Sequence, residues 1–522
     1  MANVEHQVTE ATPLLAPSAA DSSPPNKSCD STASRAWSAW QRHFAKWATM
    51  YACGLFVLLV DVPNFMSEVP KLRMLELGLC RDYYSISDPG AIDHDGNVPE
   101  SLCKIPEIQA SLARMRGMLD MIEGIPGLIL AIPYGVLADM RGRRFVAALS
   151  LAGFVLRDLW AFSVMYFYKV FPIRAIYAAP AFLVLGGGST VISPMIMAII
   201  AATIHENERT QAFLWIQVVM LVTEFIAPPL GSGLMELAGP HFAFLAAVPL
   251  EALAFVALGL IREAKPSKAG QDDAEEARYP TDDRDGAAED PNPTSLKGKI
   301  VWASSQLSHK VRHGVGALGS QISLIAGLLA LIVAAMGRPM LGLILQYMSV
   351  RFGWPLAKTA FLLSIQAAAQ MPLFALVLPQ AGKWLLKRKK HASAANLALA
   401  RGSLLFLTAG ALWMGFAPSA PVFIAAFVVY TFGNGYSAAL RSLLTSLVPK
   451  DHLSLLFTAM TVFGGVATIG ASPLLGLSFS AGLNIGGMAV SLPFFIAAAF
   501  YGMAAVLLFT CMSAGSQVVD QE

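Results

Sequence analysis

Long hydrophobic runs, broken by short polar turns, fill most of this chain. They cover residues 47–67, 115–138, 144–167, 175–204, 211–235, 241–262, 321–348, 357–380, 394–416, 420–447, 454–479 and 487–512. Each is long enough to cross the roughly 30 Å hydrocarbon layer as a helix, with some tilt. Two polar breaks interrupt the rhythm. Residues 68–114 predict a long loop after the first run. Residues 263–320 predict a linker after the sixth, and its stretch QDDAEEARYPTDDRDGAAEDP is too polar to bury a core. The following LKGKIVWASSQLSHKVRHGVGAL mixes basic and apolar residues, as an amphipathic helix on a membrane surface would. The pattern therefore predicts an all-α membrane protein with twelve transmembrane helices in two six-helix bundles, 47–262 and 321–512. Residues 1–46, rich in Ser, Ala, Pro and Thr, predict a disordered tail, and 513–522 a second, short tail.

Composition supports a lipid environment. The chain is 55% hydrophobic and 14% charged, against about 25% charged in a soluble domain. A net charge of +2 gives no footprint for a nucleic-acid partner. The sequence offers no enzyme chemistry and no cofactor or metal site. All nine histidines, His241 included, fall in predicted loops or tails, and no GxxxxGK[ST] phosphate loop is present. The five cysteines show no metal spacing. Cys53 and Cys511 lie in apolar runs, whereas Cys80 and Cys103 share the 68–114 loop.

Lys and Arg in short loops set the orientation. Arg141, Arg143 and Arg144 follow the second run, and KWLLKRKKH follows the eighth. Both fall on the side that holds the two termini and the linker, which is read as cytoplasmic. The 68–114 loop then faces the exterior or a lumen, where a Cys80–Cys103 disulfide is allowed. EATPLL in the N-terminal tail resembles an acidic dileucine sorting signal. It keeps a vacuolar or endosomal membrane open beside the plasma membrane, the first choice.

The halves carry similar breaks. LGGGST in the fourth run is matched by FGNGYS in the tenth, and APPLGSGL in the fifth by ASPLLGLS in the eleventh. Such paired interruptions mark transporters built from repeated halves. GVLADMRGRR, after the second run, resembles the signature between helices two and three of the major facilitator superfamily. Gly135, Leu137, Ala138, Asp139, Gly142, Arg143 and Arg144 all match, and Met140 stands where an Arg is usual. In that family this turn latches the two halves on the cytoplasmic side, which makes Gly135, Asp139, Gly142, Arg143 and Arg144 the candidate latch. APPLGS is a partial match to the helix-five motif of drug/proton antiporters, and no basic residue stands near Phe182, where proton-coupled members often carry an Arg. LELGLCRDYY, LQYMSVRFGW and NLALARGSL look like a group of fungal facilitators, distantly similar to the proton-coupled folate and haem-carrier branch.

The resemblance implies a secondary transporter working by alternating access, with a small organic molecule, protons and the lipid bilayer as partners. Proton-coupled efflux of a metabolite or drug-like compound is the first reading. Proton-coupled uptake and a non-transporting receptor of the same fold are the alternatives. Ionisable residues inside spans are costly and mark pathways. Those singled out are Asp61, Asp120, Glu123, Arg157, Asp158, Glu224, Glu251, Arg338 and Arg441. Asp120 and Glu123 share one helix face. Arg157 and Asp158, adjacent in sequence, project about 100° apart, which predicts different partners. In this superfamily spans one, four, seven and ten line the cavity. That selects Asp61, Arg338 and Arg441, with Gln346, Tyr347, Asn434 and Tyr436 as hydrogen-bonding groups. The substrate and proton pathway is therefore assigned to Asp61, Asp120, Glu123, Glu224, Arg338, Gln346, Tyr347, Asn434 and Arg441. Asp61 and Glu224 are the candidate proton carriers, since a carboxylate in an apolar site can exchange a proton near neutral pH. Glu251 is read as equally open to a structural role.

Overall fold

The computed structural model describes residues 30–94, 96–204, 206–261, 322–389, 391–448 and 453–512. Most of the predicted tails, the sorting-like stretch and the 263–320 linker lie outside the described residues. The chain divides into two compact units, Met1–Ala48 and Thr49–Glu522. In the first, residues 30–48 are helical. The predicted irregular tail therefore gives way to helix at Asp30. Ala, Arg, Gln and Trp in SRAWSAWQRHFAKWA are compatible with helix, and no Gly or Pro interrupts it.

Twelve helices are long and apolar enough to cross a membrane. Span 1 is Trp47–Ser87, span 2 Pro106–Arg141, span 3 Arg143–Tyr166, span 4 Ile173–Thr203, span 5 Ala212–Ala238 and span 6 Pro240–Leu260. Span 7 is Ser323–Phe352, span 8 Leu356–Arg388, span 9 Ala392–Phe416, span 10 Ala420–Thr445, span 11 Ala459–Ile485 and span 12 Gly487–Cys511. Among the described residues there is no strand.

The predicted 68–114 loop is largely helix. Span 1 runs on to Ser87 and span 2 begins at Pro106. The charges in this region suggested solvent, but the fold pairs them with one another. Glu76 is fully buried, accepting from Arg73 at 2.6 Å, Lys104 at 2.7 Å and Gln109 at 2.6 Å. Only residues 88–105 remain as a connection, with two short 3₁₀ turns. Cys80 and Cys103 form a disulfide that fastens this connection to span 1. The KWLLKRKKH stretch is likewise helical as far as Lys389. His241, read as a loop residue, lies in the first turn of span 6, edge-on to Tyr166.

Breaks inside spans follow the glycines. Span 4 is wound as a 3₁₀ helix over Ile173–Leu185 and as an α-helix over Ser189–Thr203. Gly187 and Gly188 between them have φ of +76° and +67°, values open to glycine at little cost. Span 10 is interrupted at Gly433–Gly435, the matching position of the second half. Span 7 breaks between Ala335 and Met340.

Two large hydrophobic clusters centre on the two halves, each taking a few residues from the other. In the first, Val69, Leu72 and Leu75 of span 1 pack with Leu112 and Leu119 of span 2 and Phe244 of span 6. In the second, Tyr347 is ringed by Phe423 and Phe494 at centroid distances of 5.3 and 4.7 Å. Its hydroxyl meets Ser491 Oγ at 2.9 Å.

The halves meet along spans 2 and 11. A side chain at Gly117 would strike the Ser472 carbonyl oxygen at 2.7 Å, so only glycine allows this approach. Toward the disulfide end, Arg114 donates to Ser480 Oγ at 2.7 Å. Gln346 Nε2 of span 7 donates to the Gln109 carbonyl and Oε1 at 2.8 and 2.9 Å. The backbone N–H of Leu356, at the start of span 8, donates to Glu100 Oε1 at 2.9 Å. Toward the other end such polar links are absent among the described residues. From Ile129 to Arg141, no described side chain hydrogen-bonds or ion-pairs with the second half.

Candidate functional site

A cavity of about 250 Å³ opens inside the first half, and all six of its spans contribute to the wall. Span 1 supplies Phe56, Asp61 and Asn64, span 2 Glu123, and span 3 Phe154 and Arg157. Ser189, Ser193 and Ile192 come from span 4, Met220 from span 5 and Glu251 from span 6. The break in span 4 exposes Ser189 and Thr190 at the start of its α-helical part. An adjoining recess is lined by Asp120, Glu123, Gly187, Gly188 and Thr190. A charged groove between spans 1 and 2 carries Glu68, Lys71, Arg116, Asp120 and Glu123.

Ion pairs tie these groups together. Arg157 Nε reaches Asp158 Oδ1 at 2.7 Å, and its NH1 lies 3.8 Å from Glu123 Oε2. Adjacent residues thus share one pair, contrary to the predicted separate partners. The Arg157 stem is long enough to fold its head back over the next residue's carboxylate. Lys71 lies 3.7 Å from Glu123, and Arg116 pairs with Glu68 at 2.6 Å. Glu251 is buried, and its Oε2 has no hydrogen-bond partner. Asp61 makes no hydrogen bond or ion pair among the described residues, and its charge acts on Glu224 of span 5.

The predicted pathway residues therefore separate. Asp61 and Glu123 line the cavity, Asp120 lines the adjoining recess and groove, and Glu224 is electrostatically linked to Asp61. Gln346 is buried in the contact with Gln109, and Tyr347 in the aromatic core, so neither faces the cavity. Arg338 and Arg441 are exposed, and Asn434 is half-buried at the break of span 10. All three belong to the second half and are absent from the cavity wall. Sequence reasoning left Asn64, Glu68, Lys71 and Arg116 out of the pathway. Their signal was the helical spacing of polar positions 61, 64, 68 and 71, facing 116, 120 and 123.

At the GVLADMRGRR turn, Gly142 has φ +95°. Arg143 donates to the Ala198 carbonyl at 2.8 Å and Arg144 to the Gly259 carbonyl at 3.1 Å. Both guanidinium groups thereby meet carbonyls near the C-terminal ends of spans 4 and 6, where a positive charge is favourable. Asp139 is exposed, with no hydrogen bond or ion pair among the described residues, and Gly135 faces open space.

Comparison with known proteins agrees with this architecture. The Major Facilitator Superfamily pattern matches residues 105–472. The chain is similar to the MFS efflux pump atnC of Emericella nidulans, 32% identical over 465 residues, covering 87% of this chain and 86% of that protein. It is also similar to the efflux pump ustT of Aspergillus flavus, 27% identical, covering 85% of each. Among solved structures, the inward-open xylose transporter XylE from E. coli aligns over 90% of this chain and 96% of its own length. The TM-score is 0.57 at 13% identity, a likeness of fold.

Proposed function

We propose that this chain, which belongs to the Major Facilitator Superfamily and is a transporter of small molecules, exports an organic compound in exchange for protons. Three observations support export driven by a proton gradient. The relatives include proteins named as efflux pumps. The cavity places carboxylates within the membrane span without enough cations to neutralise them. The bundle over 321–512 holds a single carboxylate, Asp451, which lies between spans 10 and 11, so proton exchange within the spans falls to the first half. Asp61 carries this reading: it lines the cavity with no described partner, and an unpaired carboxylate in such a place is a group that takes and releases a proton.

In this reading the disulfide end faces the exterior and the Asp139 end the cytoplasm, with both termini cytoplasmic and the plasma membrane as the site. The joined disulfide end and the unjoined Asp139 end then make this an inward-facing state. Asp139 belongs to a contact that forms when the other end opens. The test is transport in proteoliposomes under an imposed pH gradient, with substrate chosen from metabolites that accumulate in cells lacking the protein. Asp61→Asn should abolish gradient-driven export while the protein stays folded. Full gradient coupling in that variant refutes the assignment, and accumulation in place of export would identify an importer.

A further inference from the structure

We infer that the first-half cavity binds the protonated nitrogen of an amine-bearing, partly apolar substrate, with Glu251 as its principal acceptor. The inference rests on the transporter reading and adds a substrate class to it.

Charge at the cavity is unbalanced. Three lining carboxylates, Asp61, Glu123 and Glu251, face one lining cation, Arg157. Arg157 is already engaged by Asp158 at 2.7 Å and more loosely by Glu123 at 3.8 Å. Lys71 adds a second cation to Glu123 at 3.7 Å. Glu123 and Asp158 are thus in ion pairs with Arg157, while Asp61 and Glu251 are in none, and the Arg157 charge reaches Glu251 only from beyond ion-pair distance.

Glu251 is the more informative of the two. The residue is 4% exposed and its Oε2 has no hydrogen-bond partner. A buried carboxylate oxygen left unpaired is costly, so such an atom calls for a donor. The cavity leaves room for that donor to arrive with the substrate. An ammonium group supplies both the N–H and the missing positive charge. An anion would meet Glu251 and Asp61 as like charges, and a neutral alcohol would supply the bond without the charge.

The rest of the wall suits the remainder of such a molecule. Val60, Met197 and Met220 offer half-buried apolar contact, and the Phe154 ring already carries Arg157 at 5.1 Å from its centroid. Ser193, exposed on span 4, gives a place to alter the cavity without disturbing a packed core.

The test is equilibrium binding to the purified full chain in detergent, with no gradient present. This keeps it separate from the proton-exchange experiment, since binding preference stands or falls whether or not coupling is found. The probes are 4-phenylbutylamine, 4-phenylbutanol and 4-phenylbutyrate, which share one apolar body and differ in charge. The amine should bind about tenfold or more tighter than the alcohol, and the carboxylate weakest. Glu251→Gln should remove that advantage, bringing the amine down to the affinity of the alcohol measured in the same variant. Ser193→Lys, which adds an ammonium group to the wall of an otherwise intact cavity, should abolish amine binding and raise carboxylate binding. Amine binding no tighter than that of the alcohol, the absence of all binding included, overturns the inference. So does unchanged amine affinity in Glu251→Gln, which would mean that Glu251 holds a proton of its own.

Discussion

The contact between Gln346 and Gln109 gives a measurable handle on the conformational equilibrium. Gln346 is 1% exposed and its Nε2 donates to two acceptors on Gln109, at 2.8 and 2.9 Å. Replacing it with Leu keeps the volume roughly constant and removes both bonds. Gln109 is then left with a buried amide oxygen lacking this donor, at a cost of about 1–3 kcal/mol. Part of that cost is offset, because Gln346 Oε1 is itself buried without a partner, and the substitution removes it. A net weakening of about 1–2 kcal/mol remains, which multiplies the population open at the disulfide end by about five- to thirtyfold. The assay is labelling of Ser193→Cys by a membrane-impermeant maleimide applied from the disulfide side of sealed vesicles. Cys29, Cys53 and Cys511 are replaced by Ala, and the Cys80–Cys103 disulfide is retained. Gln346→Leu should raise the initial labelling rate by that factor. A rate equal to the parent's, in protein that melts normally, would show that this contact does not hold the end closed.

Glu100 predicts an acid-sensitive step at the same end. Burial alone would raise its carboxyl above the ordinary 4.5, but Lys104, the Leu356 N–H and the Arg73 charge outweigh that and hold it lower. Lys104 and Arg73 belong to the first half and act in either state, so the Leu356 N–H, the one donor from the second half, is what favours the carboxylate in the closed state. Its contribution is complete above 4.5 and is lost as pH falls through the lowered value. Distances between spin labels at Ile86 and Phe361 should stay constant down to about pH 4.5 and lengthen below it, and Glu100→Gln should eliminate that step. Arg157→Leu leaves Asp158 and Glu123 without their guanidinium, and should cost about 3–5 kcal/mol of stability. Arg157→Leu combined with Asp158→Leu should recover much of the melting temperature, and equal stability of the single variant and the parent would contradict the pairing. Replacing Cys80 and Cys103 together by Ser should lower stability by about 2–4 kcal/mol, read from thermal melts against the oxidised parent.

Run length made the twelve spans legible, because a helix in lipid must carry about 20 apolar residues whatever its neighbours do. Of the two paired breaks one was legible: LGGGST and FGNGYS interrupt spans 4 and 10 where glycine removes the side chains that would stiffen the backbone, whereas APPLGSGL and ASPLLGLS lie within uninterrupted helices of spans 5 and 11. The extension of span 1 was not, since Glu68, Lys71, Arg73 and Glu76 count as polar in any hydropathy sum. Their partners Arg116, Lys104 and Gln109 lie 28 to 48 residues away and cancel the cost only after folding. Gln346 illustrates the same limit at longer range. Its partner is 237 residues distant, and an amide inside a span reads equally well as a ligand contact or as a bridge. The order of Arg157 and Asp158 misled for a different reason. Helical geometry places their Cβ atoms on different faces, but a flexible guanidinium arm sets where the charge ends up.

Under the proposed proton exchange, the distribution of carboxylates bears on how a proton would drive the cycle. In the spans of the second half there is no Asp or Glu, while Arg338 and Arg441 stand exposed there. Proton uptake within the spans therefore changes charge on one side of the molecule only. The change falls where a single Arg157 is shared among Asp158, Glu123 and Glu251. Two unit charges 4 Å apart interact by about 4 kcal/mol at an effective dielectric near 20. That exceeds the 1–2 kcal/mol assigned above to the Gln346 contact. Neutralising one first-half carboxylate is thus a change on the scale of the Gln346 contact, and it biases the two ends by as much as that interaction differs between the two states. No matching carboxylate in the second half is required, and the second half can act as a rigid counterpart built on the aromatic packing around Tyr347.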